Sequence, residues 1–435
     1  MRRPSFVFIL ADDLGYADLG CTGARAPSPT PNLDRMAAEG MLFRHGYANS
    51  PVCSPTRFAL ITGRWQYRLR GAAEEPLTGK ARGSEVIGLP PSHPTLPSLL
   101  RDAGYRTALA GKWHLGYPPH FGPLKSGYET FFGPLSGGVD YFSHCDSSGS
   151  HDLWDGDQPA SGDGYLTDLI TDRAVEFIKS AADTPFMLSV HYTAPHWPWE
   201  TREDHEESRR IGKRLAHTDG GSLETYRRMV SQMDEGIGRI LASLRESGAD
   251  RDTLVVFTSD NGGERFSDTW PFVGQKMDLL EGGIRVPLVA RWPAGIAAGQ
   301  VSNTPVITMD WPATMLACAG VPAHPRYPLD GVDLRPLLAA PGTSLDRDLY
   351  WRMSHRHQRA LRSGRWKYLA VDQHEYLFDL SADERERANL AARYPDRLAD
   401  LRARWLAWAS QMPGIPEDAR VTLVFDDSAI PRPTH

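Results

Sequence analysis

Three short, strongly apolar runs in this chain are each followed by polar residues, and that pattern dominates what it can fold into. Ser5–Leu10 is followed by Asp12-Asp13. Phe186–His191 opens a stretch that continues to His196. Thr253–Ser259 is followed by Asp260-Asn261. Helical stretches separate these runs. Pro31–Gly40 carries Asn32 or Asp34 near its start and Gly40 at its close. His93–Gly104 reads as a second helix and leads into a strand over Tyr105–Ala110. Tyr165–Ala182 reads as an amphipathic helix, and Tyr226–Gly248 as a longer one. This alternation predicts an α/β fold, a large mostly parallel sheet sandwiched by helices. Open sheets of that kind place ligands beyond the carboxyl ends of their strands. The polar ends of distant runs are therefore expected to converge.

After about Leu345 the pattern changes. Arg359–Val371 and His374–Leu380 read as paired strands with a turn at Ser363-Gly364, and Ala391–Gln411 reads as a helix. The expected organisation is a catalytic domain over 1–345 and a smaller C-terminal domain of antiparallel sheet plus helix over 346–435. Gly116–Asp163, rich in Gly, Ser, Pro and Asp, is expected to be one long loop.

Several function classes drop out early. The formal net charge of −6 over 435 residues gives no electrostatic reason to expect nucleic-acid binding. No apolar run is long enough to span a membrane, so no membrane partner is expected. Arg2 and Arg3 precede an apolar stretch, but Phe6–Ala11 is too short for a secretion signal and runs into Asp12-Asp13. The chain is therefore expected in the cytoplasm. Its four cysteines, Cys21, Cys53, Cys145 and Cys318, are scattered without CxxC spacing, which argues against a disulfide framework or a zinc cluster.

Asp12-Asp13 and Asp260-Asn261 make a set of hard oxygen donors suited to Ca²⁺ or Mg²⁺. Taken singly, each pair reads equally well as loop and cap residues. Their equivalent positions after strands bring the metal reading level with that one. Lys112 and His114 sit two apart after a strand, so their side chains point the same way if the backbone stays extended. His191 and His196 are five apart, with prolines between and beyond them that exclude a helix, so they do not form a zinc-helix pair. His191 reads as a structural residue at a strand end. Composition alone makes the Cys53 segment a turn with a buried cysteine, and Lys276 a surface lysine.

The segment Cys53-Ser54-Pro55-Thr56-Arg57, continued by Thr62-Gly63, resembles the hallmark C-[ST]-P-x-R-x4-T-G of the formylglycine-dependent sulfatases. These are arylsulfatase-like members of the alkaline phosphatase superfamily. A second signature, Gly104-Tyr105-Arg106-Thr107-Ala108-Leu109-Ala110-Gly111-Lys112-Trp113-His114, also matches. Thr258–Gly263, the N-terminal FVFILADDLGYADLG and the C-terminal LFDLSADERERANL resemble further family segments, so the resemblance covers nearly the whole chain. It implies that Cys53 is oxidised to formylglycine by a dedicated maturation enzyme. It implies that Asp12, Asp13, Asp260, Asn261 and the modified Cys53 hold a divalent cation, calcium by the family habit with magnesium as the alternative. Arg57 then orients the hydrated aldehyde, and Lys112 and Lys276 bind sulfate. His114 deprotonates the second hydroxyl, and His196 protonates the leaving oxygen.

The implied activity is hydrolysis of sulfate monoesters, on a small-molecule or saccharide sulfate ester. Two rivals are a phosphonate monoester or phosphodiester hydrolase of the same superfamily, and an inactive protein that binds sulfated ligands. The first tends to pair Asp-Gln with Asp-His where this chain has Asp-Asp and Asp-Asn. The complete set of ligands, nucleophile and acid argues against the second. Trp197 and Trp199 flank the leaving group or fill the core, with the core reading slightly favoured. Ser136, Asp140, His144, His151 and Trp154 in the long loop take no assigned role.

Overall fold

The computed structural model describes residues 3–23, 29–181, 184–216 and 219–423. The strands, in chain order, begin with β1 (Ser5–Ala11), β2 (Met41–Phe43), β3 (Gly46–Tyr47), β4 (Arg106–Gly111) and β5 (Thr130–Gly133). Then come β6 (Trp154–Asp155), β7 (Gln158–Pro159), β8 (Phe186–His191), β9 (Thr253–Ser259), β10 (Leu288–Arg291), β11 (Gln300–Ser302) and β12 (Val306–Ile307). The last four are β13 (Asp348–Arg352), β14 (Arg359–Ser363), β15 (Trp366–Val371) and β16 (His374–Asp379).

Ten of these strands form one sheet in the order β11-β2-β10-β9-β1-β8-β4-β5-β6-β7. Its centre, β9-β1-β8-β4-β5, is parallel throughout, and antiparallel strands lie on either side. β1 is buried on both faces and alternates between them. Val7 and Ile9 pack under the helices Leu166–Ala181 and Leu223–Glu246. Phe6, Phe8 and Leu10 pack on the other side with Leu96, Leu100, Trp311 and Met315. Each such fully buried side chain contributes roughly 1.5–3 kcal/mol. Caps set where the helices begin. Ser222 accepts the Thr225 N–H at 3.0 Å, and Thr95 accepts the Ser98 N–H at 3.1 Å.

The register carries the functional argument. Ala11 pairs with Ser259, Leu10 with His191, and Gly111 with His191. The four central strands thus end level, and the residues after each leave the sheet on one edge. Gly111 is required there. At φ +116°, a Cβ on it would lie 1.9 Å from the His191 carbonyl oxygen.

Of the other six strands, β3 and β12 form a parallel pair, and the last four form an antiparallel meander, β13-β14-β15-β16. The helix Pro395–Ala409 packs on it through Leu401, Trp405 and Trp408. The same hydrophobic cluster includes Tyr47, Val52, Cys53, Met277 and Ile284, so the smaller sheet shares its core with the loops around Cys53. Buried ions tie the two parts further. Lys367 Nζ lies 2.9 Å from Glu281 and 2.8 Å from Glu386, all three buried.

Three expectations change. The cysteine segment is not a turn: Cys53 is the first residue of the helix Cys53–Thr62, which ends at Gly63 with φ +67°. Gly116–Asp163 is not one loop, because β5 inside it extends the main sheet and β6-β7 add a hairpin. The expected helices are shifted or trimmed at their ends. The second runs only over Leu96–Asp102 and the last over Pro395–Ala409. The predicted end of one helix at Ala182, and Arg2, lie outside the described residues.

Candidate active site

Asp12 and Asp13 leave β1, Asp260 and Asn261 leave β9, and their proximity follows from the register. The Asp260 N–H donates to Ala11 O at 3.1 Å, and Asp13 N–H to Asp260 Oδ1 at 3.3 Å. Asp13 adopts φ +65°, which turns the chain back over the sheet edge. Asn261 Nδ2 donates to Asp13 Oδ1 at 2.7 Å. All four are buried.

The nucleophile candidate enters from a helix. Cys53 at its start and Arg57 one turn later share a face. Arg57 Nη2 and Nε reach Asp260 Oδ2 at 2.8 and 3.0 Å, and Nη2 lies 3.7 Å from Asp12. Arg57 Nη1 also donates to Lys112 O at 3.2 Å. Burial pushes the Cys53 thiol up despite Lys112 and Lys276 nearby, so as a thiol it stays protonated and a poor nucleophile.

Lys112 follows β4. Its backbone N–H donates to His191 O at 2.8 Å, and its Nζ meets Asp12 Oδ2 at 2.5 Å. Lys276 approaches from the opposite side, with Nζ on Asp13 Oδ2 at 2.6 Å. Burial would raise the Asp13 carboxyl, but Lys276 and His196 outweigh it and hold it at about 2. Burial and the neighbouring Asp12 charge push Asp260 up to about 6. Three carboxylates thus face three cations, Arg57, Lys112 and Lys276.

The backbone does not stay extended from Lys112 to His114, so the condition for the two side chains to point the same way is not met. His114 sits at φ +61°, and its ring turns toward the segment around Leu77. His114 Nε2 lies 2.5 Å from Leu77 O, so Nε2 carries the proton and Nδ1 is left bare. Nδ1 is buried and has no hydrogen-bond partner among the described residues. His196 Nδ1 lies 2.6 Å from Trp197 O, which leaves Nε2 facing Asp13 Oδ2 at 3.6 Å. Burial and Lys276 drive His196 down to about 3, so the free site holds it neutral at neutral pH. His191 is set back, with Nδ1 3.2 Å from Lys112 O.

A divalent cation suits this cluster. Donor atoms of Asp12, Cys53 and Asp260 lie within 4.8 Å of one another, as do those of Asp12, Asp13 and His196. Asp12 Oδ1 and Asn261 Oδ1 are buried oxygens without a hydrogen-bond partner among the described residues. Such oxygens are costly to leave unmet, and an oxygen-seeking cation satisfies both.

The cluster opens into a cleft of about 490 Å³, lined by Cys53, His114, His196 and Lys276 at its inner end. Trp197 stands on its wall against the His196 ring, with centroids 4.2 Å apart. Trp199 is instead a core residue packed on Phe266. Ser136 also lines the cleft. Asp140 is occupied by the Phe142 and Ser143 N–H groups, His144 lies 3.2 Å from Gly164 O, His151 2.6 Å from Ala160 O, and Trp154 donates to Asp152.

Sequence reasoning did not find three features. Gly137 lies against the His114 ring, and a Cβ there would be 2.5 Å from His114 Cε1. The segment around Leu77 anchors His114, and its Leu77 N–H donates to Ser54 Oγ at 2.9 Å. Gln358, from the smaller sheet's side, grips the residues after Lys276 through Met277 O at 2.8 Å and the Leu279 N–H at 2.9 Å. Only the glycine pair Gly137-Gly138 left any signal in the sequence.

Comparison with known proteins accords with this geometry. The sulfatase family profile matches residues 4–321, and that of the N-sulphoglucosamine sulphohydrolase C-terminal region matches 272–404. The chain is 36% identical to N-acetylgalactosamine-6-sulfatase of Mus musculus over 375 residues, 80% of this chain and 69% of that protein. It is 32% identical to arylsulfatase A of Homo sapiens over 441 residues, 92% of this chain and 82% of that protein. The crystal structure of Ps i-CgsB in complex with k-i-k-neocarrahexaose superposes with a TM-score of 0.84 at 30% identity, covering 95% of this chain and 94% of that one. The level strand ends, the converging acids and these matches lead to one conclusion: the chain belongs to the sulfatase family and is a sulfuric ester hydrolase.

Proposed function

We propose that the chain hydrolyses the sulfate monoester of a saccharide, with formylglycine at position 53 and a divalent cation, calcium before magnesium, held by Asp12, Asp13, Asp260 and Asn261. The observation that carries the reading is the pair of orphaned oxygens, Asp12 Oδ1 and Asn261 Oδ1, beside Cys53 at the closed end of a cleft. The hydrated aldehyde supplies an oxygen nucleophile, and the cation lowers its pKa and draws charge from the sulfate.

The chain's own residues do the rest. Lys112 and Lys276 flank the centre on opposite sides and neutralise sulfate oxygens, a preorganised electrostatic role. Arg57, fixed by Asp260, holds the nucleophile end of the helix in place. His114 offers its bare Nδ1 as proton acceptor, because Leu77 O fixes the other tautomer position. His196 presents Nε2 toward the leaving oxygen. Burial, with Lys276 second, holds it neutral in the free site, and the negative charge of a bound sulfate ester acts in the opposite sense, favouring the acid form.

A saccharide substrate is supported by the sugar named in N-acetylgalactosamine-6-sulfatase and by the neocarrahexaose bound to Ps i-CgsB. Trp197 offers a flat apolar wall of the kind a sugar ring stacks on.

The test is the mass of the peptide containing Cys53, with p-nitrophenyl sulfate turnover on the same preparation. The expected mass is about 18 Da below the thiol form, the loss for thiol to aldehyde. Cys53→Ala is expected to lose at least about 10³-fold in kcat with its melting temperature preserved. Substantial turnover in that variant would refute the nucleophile assignment. Maturation requires an enzyme partner, so an unmodified thiol calls for co-expression with a formylglycine-generating enzyme.

A further inference from the structure

The outer part of the cleft is as ordered as its inner end, but for a different chemistry. Arg82 lies over the Tyr117 ring, 4.9 Å from its centroid, and both line the cleft. One arm of the guanidinium is fixed by Asp146, with Nη2 to Oδ2 at 2.6 Å. Asp146 is itself locked by its own turn. Its Oδ1 accepts the Ser148 N–H at 2.9 Å, the Ser148 hydroxyl at 2.5 Å and the Ser150 N–H at 3.1 Å. Gly79 leaves room for the other arm, because a Cβ there would lie 2.9 Å from Arg82 Nη1.

Two features of this corner are unspent. Of the five N–H donors a guanidinium carries, one is taken by Asp146, and the guanidinium carbon lies over an aromatic ring. The Tyr117 hydroxyl is buried and has no hydrogen-bond partner among the described residues, although a buried hydroxyl normally finds one. Lys80 stands on the same rim, exposed, with no carboxylate beside it among the described residues. Asp146 and the buried Asp152 both act on Arg82 from the protein side, so a ligand anion is met by the free guanidinium donors and by Lys80, not by an excess of positive charge.

We infer that Arg82, Tyr117 and Lys80 form a second anion-binding subsite, which takes a sulfate or carboxylate carried on the leaving-group side of the substrate. The inference rests on the sulfate-ester reading of the inner site and adds that the preferred substrate is polyanionic. The inner site binds the sulfate that is cleaved. The outer corner binds a second anion that is not. Arg82 meets it with a preorganised fork, Tyr117 donates its hydroxyl, and Lys80 adds a screened charge at the mouth.

The test compares three matched disaccharides on the matured protein. One carries a single cleavable sulfate, one a second sulfate on the neighbouring ring, and one a carboxylate there. The wild-type protein is expected to favour the dianionic substrates at least tenfold in kcat/KM, mainly through KM, with a preference that shrinks as salt rises. Arg82→Ala is expected to bring the ratio close to one, and Tyr117→Phe and Lys80→Ala to lower it by smaller factors. The sulfate and carboxylate arms identify which anion the corner prefers. Turnover of p-nitrophenyl sulfate by each preparation reports an intact centre. No preference in the wild type, or an unchanged ratio in Arg82→Ala and Lys80→Ala, overturns the subsite. Absence of all turnover, aryl sulfate included, in a protein whose Cys53 is converted strikes instead at the sulfatase reading.

Discussion

Lys112 and Lys276 occupy facing positions, each with its ammonium on one carboxylate of the Asp12-Asp13 pair, yet the fold delivers them by unlike means. Lys112 is one residue beyond β4, and its backbone N–H continues the sheet ladder onto His191 O. Its position follows from strand register. Lys276 lies on a loop between β9 and β10 that no strand carries. Its N–H donates to Gly263 O at 3.0 Å, and the Met277 N–H to Pro51 O at 2.8 Å. Met277 is held at φ +76°, and Gln358 braces the turn from the smaller sheet's side. One lysine is placed by the core sheet, the other by contacts from remote parts of the chain. The first is robust to changes in loops; the second depends on the C-terminal part of the molecule.

The most damaging way to break this comparison is to remove either ammonium. Lys112→Ala and Lys276→Ala are each expected to lower kcat about 10²–10³-fold, the usual cost of losing one preorganised charge at a reacting centre. Steady-state kinetics on an aryl sulfate measures it. A loss confined to KM would show that the lysine binds the ground state without favouring the transition state. Each variant also takes the nearest buried cation from one carboxylate of the pair, leaving Asp12 to Arg57 at 3.7 Å and Asp13 to His196 at 3.6 Å. Both are therefore expected to depend more steeply on added calcium for thermal stability, read as melting temperature against calcium concentration.

The sheet-placed side is sharpened by Gly111→Ala. The added carbon has nowhere to go, because backbone rather than a movable side chain faces it. A non-glycine residue at that φ adds its own strain of about 1–3 kcal/mol. Loss of several kcal/mol in denaturant titration, or failure to accumulate as folded protein, is expected, with β4 and β8 forced apart. Gly137→Ala is gentler. Its carbon meets the His114 ring, which can turn only by leaving Leu77 O. A fall in kcat of up to about 10²-fold follows from a misplacement near 1 Å, with the melting temperature little changed. Normal kcat in Gly137→Ala would mean that the ring position of His114 is not critical.

The same contrast explains what was legible in the sequence. The fold class and the convergence of Asp12-Asp13 with Asp260-Asn261 follow from apolar runs and the polar pairs after them, because strand ends are local features. The place of Lys112 after a strand was legible for the same reason, although its role came from the resemblance. The sequence pattern failed for β5, whose four residues lie within a stretch dominated by turn formers. Cys53 and Lys276 were reached through resemblance, since neither a buried cysteine at a helix start nor a loop lysine carries a periodic signal. Leu77 and Gln358 left no trace at all. Their partners are 37 and 81 residues away, and only tertiary packing brings them together.

Gln358→Leu isolates the loop-placed side. Leucine fills similar space but cannot pair with Met277 O or the Leu279 N–H, and leaving those buried groups unmet costs about 1–3 kcal/mol each. The turn at Met277 is expected to relax, because its left-handed backbone has lost a brace. Lys276 then loses its fixed approach to Asp13, and kcat is expected to fall about tenfold, less than on removing the ammonium. A purely structural role for Gln358 predicts a lower melting temperature with kcat unchanged below the transition. The decisive measurement is a double-mutant cycle with Lys276→Ala. If Gln358 acts through Lys276, Gln358→Leu adds little further loss of kcat in the Lys276→Ala background, while its effect persists in full beside Lys112→Ala. Equal additivity in both backgrounds would mean that the smaller sheet stabilises the site as a whole and places neither lysine.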